Sequence, residues 1–309
     1  MTALMDRVAG APISWGICEV PGWGLQLPVD RVLTEAAGLG LTAMEQGALG
    51  WLPADPRQLR STLDSYGLSL VGGFVPLVLH DASRREEMRE RAARIADTIA
   101  TAGGQHFVTA LVADLDDWSR PPLDADAWNA LLTGLDELDR VIADHGVSQV
   151  LHPHVDTFIE QADEVERFLD GCAVALCLDT GHLTIGGSDP VAIAERQAGR
   201  IGLVHLKDVD AAVARRLRQG ELGLMAATQA GLFPPLGGGM VEIARVIESL
   251  TDRGYTGWFV IEQDVAITDG VPPAGEGPVL GVARSLEYLR SLGETPAGSI
   301  HTPTESATT

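Results

Sequence analysis

Four short stretches in the second half of this 309-residue chain carry paired ionisable side chains. They are His152 and His154 in LHPH, Asp179 and His182 in LDTGH, His205 and Lys207 in VHLKD, and Glu262 and Asp264 in IEQD. Imidazole nitrogens and carboxylate oxygens drawn from such segments make a mixed donor set. It suits one divalent ion, Mn(II), Co(II), Zn(II) or Mg(II), with coordination positions left open for a substrate. Thiolates take no part: Cys18, Cys172 and Cys177 are odd in number and form no CxxC pair. An ion chelated by a carbonyl and its neighbouring hydroxyl lowers the cost of removing the proton between them. One chemistry open to such an ion is enolisation of a small polyhydroxylated ketone or aldehyde, which also needs a base and an acid. Lys207 lies two residues after His205, so on a strand both side chains share a face and point into one site. There Lys207 holds an enolate oxygen as a cation, or acts as an acid if burial lowers its pKa.

The elements that must position these groups are short apolar runs alternating with amphipathic stretches of helical length, the pattern of βαβ units. Eight runs read as strands: 10–16, 41–46, 68–74, 105–112, 147–154, 173–180, 200–208 and 256–264. Helical patterns such as 29–40, 83–103 and 124–146 lie between them, many closed by a glycine suited to a left-handed C-cap. Eight strand and helix pairs over roughly 290 residues predict a single closed (β/α)8 TIM barrel, α/β in class. An open doubly wound sheet is the structural alternative, but GxGxxG is absent after the first strand. In a barrel the functional groups gather at the C-terminal strand ends, which is where the four ionisable pairs fall. The sequence predicts one domain over 1–293, a lid-like helical insertion at about 211–239, and a disordered tail over 294–309.

Composition bounds the partners. Hydrophobic residues make up 45% of the chain and charged residues 21%, enough apolar material for a sizeable core. The formal net charge of −21 repels phosphate backbones and anionic lipid surfaces, which argues against nucleic acid and membrane partners. No basic leader followed by an apolar stretch opens the chain, so a cytoplasmic setting is expected.

The segments PISWG, LHPHVDTFIE, LDTGHL, VHLKDV, PLGGG and GYTGWFVIEQD resemble the sugar phosphate isomerase/epimerase superfamily of xylose isomerase-like barrels, and within it the inosose dehydratase branch. The resemblance runs from about residue 10 to about residue 265. It implies metal ligands on strands five to eight: Glu160, Asp179, His205 and Glu262, with Mn(II) or Co(II) as the ion. His152 stands where many relatives end strand five in glutamate, and is expected as a substitute ligand or a substrate contact. By analogy Glu160 and Glu262 also move protons, with His154, His182 and Lys207 as further catalytic candidates. Glu45 resembles a family acid that contacts substrate hydroxyls.

Trp15, Trp23 and Phe74 are candidates for an apolar wall against a sugar ring. His80 could reach the mouth, and Cys18 shows no environment that would activate it. Basic residues near the mouth are few and there is no P-loop, so the expected substrate is an unphosphorylated polyol, keto-sugar or keto-inositol. After His205 the chain reads DVDAAVA, without the arginine found in ketose epimerases of the superfamily. Ketose 3-epimerisation and aldose-ketose isomerisation are the alternative activities; a noncatalytic or partner-dependent sugar-binding subunit and a metal-dependent phosphodiesterase are the remaining readings. A homo-oligomer formed through the outer helices is compatible with such a barrel.

Overall fold

The computed structural model describes residues 2–294 apart from 19, 21 and 117. The strands are β1 (Val8–Gly10), β2 (Ala43–Met44), β3 (Ser69–Leu70), β4 (Gly72–Leu77), β5 (His106–Leu111), β6 (Ser148–Leu151), β7 (Ala175–Asp179), β8 (Ile201–Leu206) and β9 (Phe259–Ile261). Neighbours pair in parallel in the order β3-β2-β1-β9-β8-β7-β6-β5-β4. Only Val71 separates β3 from β4. Its N–H donates to the Met44 carbonyl (2.8 Å) and its own carbonyl accepts from His106 N (3.1 Å). One interrupted strand therefore closes the ring, and the nine segments act as the eight staves of a TIM barrel.

Side chains alternate between the lumen and the helical layer because the strand period is two. Ala9, Val71, Val108, Val150, Leu203 and Val260 fill the lumen with small or branched groups. Phe107, Leu151, Leu176, Val204 and Phe259 point outward into the larger core under the helices. Burial on both faces is why these strands read as nearly continuous apolar runs. The helices are set by local chemistry. Asp55, Asp124 and Asp189 accept first-turn N–H groups as N-caps, and Gly103 in the left-handed region ends the helix Arg85–Ala102.

The first expected strand, 10–16, is shorter than its apolar run. Pro12–Trp15 forms a 3-10 turn, because Pro12 has no N–H for the ladder and Gly16 (φ 84°) donates back to the Ile13 carbonyl (2.9 Å). After β8 come the helices Ala211–Arg218 and Leu224–Gln229, then a Pro- and Gly-rich turn. Asp208 holds that turn: its Oδ2 accepts from Gly237 N and Gly239 N (2.9 Å each) and its Oδ1 from Val241 N (3.0 Å). A side chain at Gly239 would collide with the Asp208 carboxylate, so VHLKD and PLGGG work as one device. Among the described residues no helix is long and apolar enough to cross a membrane. Residues 295–309, most of the expected tail, lie outside the described residues.

Candidate active site

Strands β6 to β9 end side by side, and one side chain from each converges on a common point. His152 Nε2 lies 3.3 Å from Asp179 Oδ2 and 3.1 Å from His205 Nδ1. His205 Nδ1 is also 3.8 Å from Asp179 Oδ2 and pressed against Glu262 Oε2. These four donor atoms all lie within 4.8 Å of one another. Two ring nitrogens 3.1 Å apart, each also against a carboxylate oxygen, crowd four donor atoms at one buried point. The set of two nitrogens and two oxygens fits a divalent cation.

Local sequence explains the aim of these side chains. Asp179 divides its oxygens: Oδ1 caps the helix Thr180–Ile185 by accepting from His182 N (2.7 Å), and Oδ2 faces the cluster. Glu45 Oε1 lies 3.0 Å from His205 Nε2, which fixes the ring and leaves Nδ1 toward the cluster. Burial opposes the charged form of His205, but Glu262 and Glu45 outweigh it and raise its pKa. Cys177 sits in the lumen beside His152 and His205, and burial pushes its thiol up to about 12. It stays protonated at neutral pH.

Lys207 is wholly buried beneath this floor. Its Nζ lies 2.8 Å from Asp264 Oδ1, 2.9 Å from His182 Nε2, 3.2 Å from Glu262 Oε1 and 3.7 Å from Asp179 Oδ2. Gly181 makes room for it, since a Cβ there would come 2.6 Å from Lys207 Cγ. Burial alone would lower the lysine pKa, yet Asp264, Glu262 and Asp179 hold it above its ordinary value. The expectation that burial frees Lys207 to act as an acid is thereby corrected: three carboxylates keep it cationic. Asp264, named in IEQD but given no role of its own by the sequence, faces the cavity. Burial raises its carboxyl to about 6 against the opposing pull of Lys207. Its sequence signal was available, because Asp264 follows Glu262 by two residues in an extended segment. His154 keeps Nδ1 against the Val155 carbonyl (2.6 Å), which leaves Nε2 as an acceptor at the cavity. Burial, then His152 and Lys207, drive its pKa down to about 3, so it is neutral. Burial and the neighbouring His154 lower His182 too, and its ring stacks on His154 with centroids 3.8 Å apart.

A cavity of about 810 Å³ opens above these groups, with Glu45, His154, His205, Glu262 and Asp264 in its lining. Two expected residues stand elsewhere. Glu160 is not brought into the cluster: its carboxylate lies 3.3 Å from Arg120 and accepts from Asp156 N and Gln161 Nε2. Arg120 comes from a loop 40 positions upstream, and no local signal linked the two. Trp15 is fully buried and turns its indole N–H to Glu35 Oε2 (3.0 Å), so it serves the core rather than a sugar-facing wall. Phe74 and Trp23 do line the cavity, together with Trp118, which sequence reasoning did not single out. His80 packs on Phe158, with ring centroids 4.8 Å apart.

The family described as Xylose isomerase-like TIM barrel matches residues 33–292. The chain belongs to this xylose isomerase-like family. It is 33% identical over 298 residues to the inosose dehydratase of Geobacillus kaustophilus (strain HTA426), covering 93% of this chain and 94% of that protein. Two solved barrels of the same fold are similar in structure. L-ribulose 3-epimerase superposes with a TM-score of 0.68 at 17% identity, over 96% of this chain and 99% of that one. IolI protein with a bound zinc atom gives 0.68 at 12% identity, over 93% and 97%. The likeness to inosose dehydratase over nearly the whole of both chains marks this chain as an enzyme.

Proposed function

We propose that this enzyme is a divalent-metal-dependent dehydratase of the inosose dehydratase type, acting on a small unphosphorylated keto-inositol or keto-sugar. The observation that carries it is the convergence of His152, Asp179, His205 and Glu262 under a cavity that Asp264 and His154 also face. The likeness to inosose dehydratase over nearly the whole of both chains supports the dehydratase assignment. Among the described residues lining the cavity none is lysine or arginine, which supports a substrate without phosphate.

Bound by those four residues, a divalent ion, Mn(II) or Co(II) in first place, supplies Lewis acidity to the substrate carbonyl. Asp264 is the proton carrier: a carboxyl near 6 both accepts and gives up a proton close to neutral pH. It takes the proton from the carbon beside the carbonyl and returns it to the hydroxyl on the next carbon. That carbon–oxygen bond breaks, water leaves, and an enone remains. Lys207, beneath Asp264 and Glu262, balances their negative charge without touching substrate. His154 Nε2, a neutral acceptor, orients a substrate hydroxyl, and His182 ties Lys207 to the His154 ring. Helix Leu224–Gln229, which borders the cavity through Leu224 and Met225, acts as the lid. The three cysteine thiols suit a reducing, cytoplasmic setting.

The test is product analysis after incubating inosose with the protein and Mn(II) or Co(II). Loss of one water per substrate is expected, and Asp264→Asn should reduce it by at least about 100-fold, the lower range for a positioned proton carrier. A product of unchanged mass with rearranged protons would make the enzyme an isomerase. No metal-dependent product from inosose or a panel of unphosphorylated ketoses would overturn the proposal.

A further inference from the structure

The cavity is larger, and apolar over more of its wall, than a bare ring polyol requires. Its buried and half-buried ionisable groups meet at the metal floor, Glu45, His154, His205, Glu262 and Asp264, while Asp116, Asp156 and Gln229 are exposed elsewhere in the lining. The rest of the lining is largely apolar and includes Phe74, Leu115, Trp118, Val20, Leu224 and Met225, all half-buried. Phe74 and Trp118 pack together with centroids 6.0 Å apart, and both touch the His154 ring. The apolar wall is thus continuous with the catalytic floor. A volume of about 810 Å³ falls in the range of roughly 300–1,000 Å³ that encloses drug-sized ligands. An unsubstituted six-carbon polyol is much smaller, and each of its carbons carries a group that needs a hydrogen-bond partner. The buried polar groups that can meet that need are those of the floor. Hydroxyls pressed on the Phe74, Trp118, Leu224 and Met225 side chains themselves would lose water against carbon and sulfur, and the polar groups nearest in sequence, Asp116 and Gln229, are exposed to solvent.

We infer that the enzyme's preferred substrate is a keto-polyol or keto-sugar in which one hydroxyl carries an apolar alkyl or aryl group, as an ether or glycoside. The ketone end meets the metal floor, and the substituent lies against Phe74, Trp118, Leu224 and Met225. This inference rests on the enolising reading above and narrows its substrate class.

Two measurements test it separately from that reading. In the first, binding of scyllo-inositol and of its mono-O-benzyl ether to the metal-free protein is followed by tryptophan fluorescence and calorimetry. Neither compound has a carbonyl, so affinity is read without turnover. The benzyl ether should bind at least tenfold more tightly, and Met225→Asp should erase most of that difference. In the second, deuterium exchange into inosose and into O-benzyl inosose is compared with the metal-loaded enzyme. The benzyl compound should show the higher kcat/KM by at least tenfold. Exchange into both with equal or lower efficiency for the benzyl compound, together with equal binding, would overturn the inference and leave the enolising reading standing. The apolar wall would then be covered by lid closure. Exchange into neither would overturn both.

Discussion

Asp179 serves two elements with two oxygens, one capping a helix and the other facing the donor cluster, so it cannot be replaced by an isostere without loss. Asp179→Asn and Glu262→Gln are each expected to leave protein that retains almost no metal after gel filtration. Glu160→Gln should keep about one equivalent, because Glu160 answers to Arg120, Asp156 and Gln161 instead. Glu45→Gln should still bind metal, but roughly 10–100-fold more weakly, as when a partner that orients a ligand histidine is altered. Elemental analysis across these four variants decides the ligand set; a Glu160→Gln protein without metal would restore Glu160 as the first ligand. At this scale the sequence was informative where a residue ends a strand. Asp179, His205 and Glu262 stand at consecutive strand ends, where a barrel gathers its functional groups, and the resemblance of their motifs to the superfamily marked them as a set. It was uninformative where the partner is distant: nothing near Glu160 announces Arg120, and nothing near Trp15 announces Glu35.

The elements are tied to one another by close backbone approaches that glycine permits. Gly186 ends the helix that Asp179 begins, and a Cβ there would run into the Glu160 carbonyl. Gly186→Ala should therefore cost about 1–3 kcal/mol, the usual range for overpacking. Urea unfolding measures this, and unchanged stability would show that the two loops separate without cost. His106 opens β5 with a buried, unpartnered Nδ1, and burial lowers its pKa despite the pull of Glu45. Below 6.5 the unfolded chain takes up a proton that the folded one refuses, so this contribution to stability is lost as pH falls. His106→Gln should flatten the decline between pH 6.5 and 5 by up to about 1.4 kcal/mol per pH unit. An identical slope in both proteins would exclude it. Strand and helix order was legible because a strand buried on both faces and an amphipathic helix leave different periodicities. The end of β1 was not, since an apolar run does not reveal that Pro12 withholds the N–H the ladder needs.

At the scale of the whole molecule, eight staves, a helical layer and an insertion after β8 serve to hold unlike charges close together away from water. That assembly would be costly unless something repaid the burial of four carboxylates, one lysine and four histidines around one point. A divalent ion on His152, Asp179, His205 and Glu262 is the proposed compensation, and enolisation is its use. The most direct test is solvent deuterium incorporation into inosose, read by mass spectrometry, with protein stripped by a chelator and then restored with Mn(II) or Co(II). The account predicts no incorporation in the stripped protein and its return with about one equivalent of ion. Equal incorporation before and after stripping, or none in the restored protein, would contradict it.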